Sequence, residues 1–334
     1  MSTKGYNTYH GRNSAKKTVA IIALLLVIIG AVGYLVVQNY VVYDDSGQIH
    51  LVLPKREKKE KHKPTLPDED VTIEFVEPPE KWLPVQALHA TQLPEGALLR
   101  DPADVLRNAD EAMLIDVKRI NGAITYATGI DVPEQVEIGK PETAEKLRTL
   151  LVDDRYAVAH LYALCDSYFV RAYSDAAFQL QRGGMWYDAD GWAWLDPTDP
   201  NVLGYLTSLC KECAELGFDE IALDCFSYPT NGRMETIVIE DGTDREAVLQ
   251  SVAESIRNAL PEDVALSVVI RDEVSAESGL SAEMIAACFD RVYLAPDVDA
   301  EAVLRELPAD YDRNVRVVQM AYQKPTSGSY VLLK

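Results

Sequence analysis

The sequence predicts an α/β protein whose largest part is a (β/α)8 barrel, the TIM-barrel fold, preceded by an N-terminal transmembrane helix and a linker. Over residues 81–334, eight short apolar runs alternate with helical patterns, which is typical of a closed parallel barrel. The main structural alternative is a doubly wound open sheet. No glycine-rich phosphate loop follows the first apolar run, where that fold would bind a nucleotide, so the barrel is favoured.

The uncharged segment at 18–37 predicts the transmembrane helix. Its twenty residues, at about 1.5 Å each, span the roughly 30 Å of membrane hydrocarbon. The tail at 1–17 contains basic but no acidic residues, whereas Asp44 and Asp45 follow the span. The positive-inside rule therefore predicts a cytoplasmic tail and an extracytoplasmic remainder.

A basic segment and a possible cleavage event bear on this prediction. Lys55–Lys63 carries six basic residues on the outer side, but it begins about eighteen residues past the span, near the limit within which charges count. The alternative to an anchor is a cleaved signal peptide. The apolar run is long for such a peptide and no A-x-A site ends it, so an uncleaved anchor is predicted.

Residues 38–80 are predicted to form a hairpin and a charged linker. The segment VVYDDSGQIHLVLP (41–54) has two β-rich runs around a turn, which predicts the hairpin. Residues 55–80 are charged and contain prolines, as linkers commonly do. The barrel domain is therefore predicted to cover 81–334.

The barrel elements follow from apolar periodicity. The predicted strands lie at 85–90, 112–117, 157–164, 220–226, 264–270, 291–295, 315–321 and 330–333. The predicted helices lie at 101–109, 141–151, 201–217, 244–260, 281–288 and 299–307. Four of them begin with a residue suited to an N-cap: Asp101, Asp244, Ser281 and Asp299. The last connection, YQKPTSGS at 322–329, is too short for a full helix.

Composition excludes some functions. An apolar content of 48% is typical of a folded rather than a disordered chain. The formal charge of −21 would repel nucleic acid, so no nucleic-acid partner is predicted. The five cysteines are odd in number and spaced unlike a disulfide framework. Cys210 and Cys213 form a CxxC pair in a predicted helix without the further ligands that zinc requires. No metal or organic cofactor is predicted.

Carboxylates follow several predicted strands, where a β/α barrel carries its active site. Asp116 ends strand two, Asp166 follows strand three, Asp224 ends strand four, and Asp272 and Glu273 follow strand five. Glycosidic cleavage needs one carboxyl group to protonate the leaving oxygen and another to attack the sugar or activate water. Aspartates at strand ends also cap helices and fix turns. Asp224 is favoured for catalysis because no turn residue follows it.

The stretch GGMWYDADGWAWLDP (183–197), here the tryptophan stretch, lies in the long connection after strand three, on the same face. Flat rings can pack on sugars and carboxylates can accept hydroxyl hydrogen bonds, which predicts substrate contacts by Trp186, Trp192, Trp194, Asp188 and Asp196. The alternation WAWLD equally predicts a hairpin that buries one tryptophan and exposes the next. Further substrate contacts are predicted at Lys118, Tyr228 and His89, and His160 is predicted to be a core histidine.

Three motifs together resemble a family of proposed glycoside hydrolases with a TIM-barrel fold, otherwise without a defined function and distantly related to the α-amylase-like barrels. They are LIDVKRINGAITY (114–126), the tryptophan stretch and FDEIALDCFSYP (218–229), in this order and spacing. The resemblance covers roughly residues 82–321 and implies a bacterial, extracytoplasmic, often membrane-anchored setting. In related barrels the carboxylate ending strand four is the nucleophile and one ending strand five is the acid, which implies Asp224 as the nucleophile.

The chain departs from the family pattern at three places. Arg119 and Ile120 replace an acidic pair, and Ser227 replaces an arginine that would keep a neighbouring carboxylate ionised. Val269 stands at the position of the strand-five aspartate. An intact tryptophan stretch beside an altered catalytic set suits a surface that holds sugar better than one that cuts it.

The leading hypothesis is a membrane-anchored, extracytoplasmic glycoside hydrolase that acts on polysaccharide or cell-wall glycan. Asp224 would be the nucleophile or base, and the acid would be Asp116, Asp166 or Glu273. One alternative is a barrel that has lost catalysis and binds glycan through its tryptophans. Another is a structural envelope protein whose barrel docks other proteins.

Overall fold

The computed structural model describes residues 41–43, 49–51, 83–106, 112–152, 154–272 and 274–334. The chain forms two compact units, Met1–Val76 and Glu77–Lys334. In the first unit, strands β1 (Val41–Tyr43) and β2 (Ile49–Leu51) pair antiparallel, which is the pairing that the predicted hairpin requires.

The predicted cytoplasmic tail at 1–17, the transmembrane helix at 18–37 and the linker at 55–80 lie outside the described residues. Within the ranges that the structure does describe, no helix combines the length and apolar character needed to cross a bilayer.

Eight parallel strands of the second unit close into a barrel, which confirms the predicted fold. They follow one another around the barrel in chain order, and the last pairs with the first. They are β3 (His89–Gln92), β4 (Ala112–Lys118), β5 (Tyr156–Tyr162), β7 (Glu220–Asp224), β9 (Ala265–Ile270), β10 (Arg291–Leu294), β11 (Val317–Ala321) and β12 (Ser329–Leu332). Two short strands, β6 (Gln179–Leu180) and β8 (Ile237–Val238), pair antiparallel outside the barrel and join the loops after β5 and β7.

The helices coincide with the predicted ones to within a few residues, apart from two single-turn helices that periodicity did not predict, α3 and α8. They are α1 (Pro102–Leu106), α2 (Pro141–Leu151), α3 (Phe169–Ala172), α4 (Pro200–Leu216), α5 (Arg245–Ala259), α6 (Ala282–Cys288), α7 (Ala300–Glu306) and α8 (Arg313–Arg316). All four predicted caps accept a backbone N–H in the first turn of their helix. The connection from β11 to β12 contains no helix, as its length predicted.

The first barrel strand is the element that differs most from its prediction. It begins at His89 rather than at residue 85, and Val85 is 86% exposed. Residues 85–87 are exposed, Leu88 is buried, and the strand continues to Gln92. The carboxyl end of this strand is therefore Gln92, while His89 lies at its amino end.

Alternate residues of the strands fill the barrel in three layers, as the two-residue period of a strand requires. At the amino ends, Glu220 accepts hydrogen bonds from Ser267 (2.6 Å) and Tyr293 (2.8 Å) and pairs with Arg291. An apolar layer follows, built from residues such as Leu114, Val158, Ala222 and Val269. The layer at the carboxyl ends is polar again, and it forms the candidate site.

Candidate functional site at the carboxyl end of the barrel

The centre of the site is a buried histidine between two carboxylates. His160 of β5 lies beside Asp116 of β4 in the strand register, and Tyr162 lies beside Asp224 of β7, so all four side chains meet at one end of the barrel. The two ring nitrogens of His160 lie 2.7 Å from Asp116 Oδ1 and 2.8 Å from Asp224 Oδ2. Ionised carboxylates only accept hydrogen bonds, so both nitrogens carry a proton and the ring is an imidazolium.

Arg271, which follows β9, closes over Asp224. Its Nε donates to Asp224 Oδ1 (2.7 Å) and its Nη2 donates to Oδ2 (2.6 Å), the bidentate geometry that guanidinium and carboxylate favour. The same Nη2 donates to the Tyr162 hydroxyl at 2.9 Å, and the guanidinium lies 5.2 Å from the centre of the Tyr162 ring. Arg271, from the loop after β9, thus supplies a positive charge beside Asp224, although Ser227 stands where the family pattern has an arginine.

The carboxylate of Asp224 has no free acceptor position. Oδ1 accepts from Arg271 and from the backbone N–H of Cys225 (2.7 Å), and Oδ2 accepts from His160 and Arg271. A carboxylate has about four acceptor positions, and all are used. Cys225 adopts a left-handed conformation, with φ of 50°, as its N–H turns back onto the carboxylate. The Asp224 side chain is 0% exposed.

These contacts shift the pKa values of the cluster in opposite directions. Burial alone would raise the pKa of Asp224, but the hydrogen bond from His160 and the charge of Arg271 outweigh it and lower the pKa to about 2. Burial likewise opposes protonation of His160, yet its two carboxylate partners raise its pKa to about 9. The pKa of Asp116 is lowered, since the contacts with His160 and Gln92 outweigh its burial. All three groups are therefore ionised near neutral pH.

Asp116 is the carboxylate of this cluster that reaches a cleft. Its side chain is 32% exposed, and Gln92 Nε2 donates to Oδ2 at 3.1 Å. A cleft of about 220 Å³ opens beside it, between the loops that follow β3 and β4. The charged side chains that share this cleft are Glu95, Arg119, Glu137 and Lys140. A second cleft, of about 490 Å³, lies beside Arg271 between the loops after β9 and β10.

Asp166 and Lys118 form a buried structural pair, which corrects their prediction as catalytic and substrate-binding residues. Both side chains are 0% exposed, and Lys118 Nζ lies 3.0 Å from Asp166 Oδ2. Asp166 Oδ1 accepts the backbone N–H groups of Tyr168 and Phe169 at the start of α3. Lys118 also donates to the carbonyls of Tyr162 and Cys165. Both side chains are fully buried, and each is used to hold the loops after β4 and β5.

The tryptophan stretch forms a hairpin. The burial of its indole rings differs from the prediction that all three tryptophans contact substrate. Tyr187 pairs with Ala193 across the turn. Trp186 and Trp194 are 1% and 7% exposed, so both rings pack in the core, and only Trp192 is partly exposed. Asp188 is turned inward as well. It accepts from the backbone N–H groups of Asp190 and Trp192 and from the indole N–H of Trp194 (2.8 Å).

The other residues predicted to contact substrate make contacts within the protein. Asp196 accepts from the backbone N–H and the hydroxyl of Thr198. Tyr228 is 1% exposed, and burial together with the charge of Asp196 raises its pKa to about 12. His89 stacks on Tyr330, with ring centres 4.9 Å apart, at the amino end of β3 and so at the opposite end of the barrel. Glu273 lies outside the described residues.

Sequence reasoning missed the roles of Arg271, Tyr162 and Gln92. It also treated His160 as a core residue, whereas the ring is both buried and ion-paired. The signal that could have found them is the two-residue period of the strands. Asp116, His160 and Asp224 are inward positions, and Arg271 lies two residues beyond the inward Val269, whereas Asp272 falls between such positions.

The closed parallel barrel, with ionisable side chains gathered at its carboxyl end, places the chain among the TIM-barrel proteins. The profile of the family described as "putative glycosyl hydrolase domain" matches residues 97–322, and the chain belongs to this family. It is thus a barrel of the carbohydrate-active type. No curated protein matches the chain in sequence.

Several solved structures are similar to part of this chain. A hypothetical protein from Ruminiclostridium thermocellum is 24% identical, over 53% of this chain and 92% of that protein, with a TM-score of 0.45. A cycloisomaltooligosaccharide glucanotransferase from Paenibacillus, in complex with cycloisomaltoheptaose, is 13% identical over 71% of this chain and 37% of its own, with a TM-score of 0.45. Ega3 from Aspergillus fumigatus, in complex with galactosamine, is 13% identical over 72% of this chain and 79% of its own, with a TM-score of 0.41.

Proposed function

We propose that this chain is a membrane-anchored, extracytoplasmic barrel that binds polysaccharide or cell-wall glycan and does not cleave it through Asp224. Membership of the glycosyl hydrolase family supports a carbohydrate ligand. The charge pattern around the apolar segment at 18–37 supports the anchor and its orientation.

The observation that carries the proposal is that the Asp224 carboxylate is buried and has no free acceptor position. A nucleophilic carboxylate must present an oxygen to the sugar, and a general acid must hold a proton near neutral pH. Asp224 is fully buried, all its acceptor positions are used, and its pKa is about 2. Freeing it would separate a buried carboxylate from two cations, which costs about 3–5 kcal/mol when one partner of such a pair is lost.

The cleft beside Asp116 supports binding of a glycan. It carries acceptors on Asp116 and Glu137 and donors on Arg119 and Lys140, which is the mixed set that sugar hydroxyls use. Because Arg119, Glu137 and Lys140 come from the connection after β4, they can vary without altering the barrel.

The test is retention of glycan without product release. The full chain is incubated with insoluble polysaccharides and purified wall glycan, and both the bound protein and the released reducing ends are measured. We expect protein on the glycan and no release above buffer. Asp116→Asn and Arg119→Ala should weaken retention about tenfold, a typical loss for one or two charge-assisted hydrogen bonds. Release by the wild-type chain that disappears in Asp224→Asn contradicts the proposal.

A second candidate function, hydrolysis at Asp116, is favoured by one observation: Asp116 and Glu137 line the same cleft. Asp116 is held ionised, as a base or nucleophile requires, and Glu137 would then donate the proton. Product release abolished by both Asp116→Asn and Glu137→Gln, with glycan still retained, would establish this function instead of pure binding.

The location of the barrel has its own test. In bacterial cells that express the full chain, external protease should degrade the barrel while the protein sediments with the membrane. A barrel that stays protected in intact cells, or a chain that remains in the supernatant after lysis, contradicts the proposed anchor and its orientation.

A further inference from the structure

A third cleft, at the rim of the barrel, lies apart from the His160 cluster. It has a volume of about 380 Å³ and lies between the loop at 130–133 and the first turns of α4, with Phe169 and Tyr173 on a third side. None of the residues of the Asp116 cleft lines it. Its volume is within the roughly 300–1,000 Å³ typical of small-ligand sites. It is called the Gly204 pocket below.

Gly204 is the feature of this pocket that packing does not explain. It is the fifth residue of a helix of 17 residues, and it is exposed. Glycine inside a helix is less stable than alanine by roughly 0.5–1 kcal/mol. A Cβ atom added at Gly204 would meet nothing within 4 Å, so no neighbour requires the glycine. The φ of Gly204 is not positive, so the backbone conformation does not require a glycine here either. Gly204 is part of the pocket wall, so a side chain at this position would be added to that wall.

The wall opposite the glycine presents an aromatic face in a fixed position. Tyr173 is 47% exposed. Its ring lies 5.1 Å from that of Phe169, which in turn stacks on Tyr205 at 4.6 Å. This chain of rings anchors Tyr173 against the core, because Phe169 and Tyr205 are 3% and 6% exposed. An exposed ring with a buried support is pre-organised for stacking, so little conformational entropy is lost on binding.

The polar lining selects the chemistry of the ligand. Asn201 offers an amide, Ser208 a hydroxyl and Asp131 a carboxylate, and among the described residues no lysine or arginine lines the pocket. Amide, hydroxyl and carboxylate groups suit sugar hydroxyls, while the ring of Tyr173 suits the apolar face of a pyranose. An anionic sugar would meet Asp131 without a compensating cation, so a neutral sugar fits better.

We propose that the Gly204 pocket binds one neutral pyranose unit of a glycan chain, as a second sugar site apart from the Asp116 cleft. This inference rests on the proposed glycan-binding function, and it assigns a role to a part of the barrel rim that the family motifs do not include. Two separate sites on one rim would let the protein hold a single long glycan at two points, which increases avidity over either site alone.

Titration calorimetry tests the inference on the full chain with neutral hexasaccharides of glucose, xylose and N-acetylglucosamine. Gly204→Phe adds a bulky ring to the pocket wall, and Tyr173→Ala removes the exposed aromatic ring. Each variant should weaken binding of at least one hexasaccharide tenfold or more. Lys211→Phe is the matched control, because Lys211 lies further along the same helix, is 59% exposed and does not line the pocket. This control should bind as the wild type does.

Gly204→Ala provides a second readout, independent of ligand. Because nothing surrounds the added methyl group, the variant should unfold at a higher temperature than the wild type, as expected for alanine in place of glycine in a helix. Gly204→Phe should keep the wild-type circular dichroism spectrum. Unfolding at a lower temperature in Gly204→Ala would show that the glycine serves packing, and this would overturn the inference.

The outcomes separate this inference from the proposed function. If Gly204→Phe and Tyr173→Ala bind hexasaccharides as the wild type does, while Asp116→Asn and Arg119→Ala weaken glycan retention, the Gly204 pocket is not a sugar site and the proposed function stands. If the wild-type chain binds no hexasaccharide and no insoluble glycan, both fall.

Discussion

Deprotonation of His160 at alkaline pH is expected to destabilise the barrel. Burial favours the neutral ring, but the hydrogen bonds and charges of Asp116 and Asp224 outweigh it and raise the pKa from 6.5 to about 9. A group whose pKa is higher in the folded state stabilises that state fully below the unfolded pKa, and this contribution is lost as the pH rises through the folded pKa. The contribution of His160 is thus complete below pH 6.5 and lost above pH 9.

The magnitude follows from the same pKa values. A rise from 6.5 to about 9 corresponds to about 3 kcal/mol, at about 1.4 kcal/mol for each tenfold change in proton affinity. Asp224 has the opposite sign. Its pKa is lowered from 3.8 to about 2, so its contribution is present above pH 3.8 and lost as the pH falls through 2. The cluster therefore stabilises the barrel most between about pH 4 and 6.5.

Urea unfolding of the full chain measures this effect. All four tryptophans lie at residue 82 or later, so their fluorescence reports on the second unit. The matched variant is His160→Gln, which keeps a polar side chain without a titrating ring. The difference in unfolding free energy between the wild type and this variant should fall by about 3 kcal/mol from pH 6 to pH 9.5.

The variant also removes the effect of other titrating groups. Tyrosines and cysteines ionise near the upper end of this range in both proteins, so their contributions cancel in the difference. An unchanged difference between pH 6 and pH 9.5 would refute the reasoning. So would a ring titration of His160, followed by NMR, with a midpoint at or below 6.5.

Three further predictions concern structural positions. Gly122→Ala should lower the unfolding free energy by about 3 kcal/mol, because its φ is 96° and the added Cβ would lie 1.8 Å from a buried carboxylate oxygen. In the control Gly191→Ala, φ is 86° but the space around the Cβ is open, so the unfolding free energy should fall by only about 1 kcal/mol. Equal losses for the two variants in urea unfolding would contradict this prediction. Glu220→Gln should destabilise the barrel by about 3 kcal/mol, because it leaves the buried Arg291 without its carboxylate partner. The control Glu235→Gln, at the surface, should change stability by less than about 0.5 kcal/mol. Similar melting temperatures for the two variants would show that the buried pair is not needed. Asp188→Ala should lower stability by about 2 kcal/mol and shift tryptophan emission to longer wavelength, since three N–H groups lose their acceptor, and an unchanged spectrum would count against the hairpin packing.

The sequence by itself determined the barrel and its connections. Strand and helix positions follow from local apolar periodicity, and helix starts follow from capping residues such as Asp244 and Ser281, because both signals depend on neighbours within a few residues. The carboxylates at the ends of strands two and four were also predictable, since parallel strands in a closed barrel bring their carboxyl ends together. The first strand was placed too early, because an apolar run does not show where burial begins.

Only the tertiary structure decided what these residues do. The pairing of Asp224 with His160 and Arg271 joins strands β5 and β7 to the loop after β9, and it depends on register and barrel closure, which local patterns do not encode. Burial decided the tryptophan stretch in the same way, since an exposed and a buried indole have the same sequence pattern. Whether a carboxylate can act on a ligand depends on how many donors surround it, and those donors come from residues distant in sequence that only the closed barrel brings within hydrogen-bonding distance.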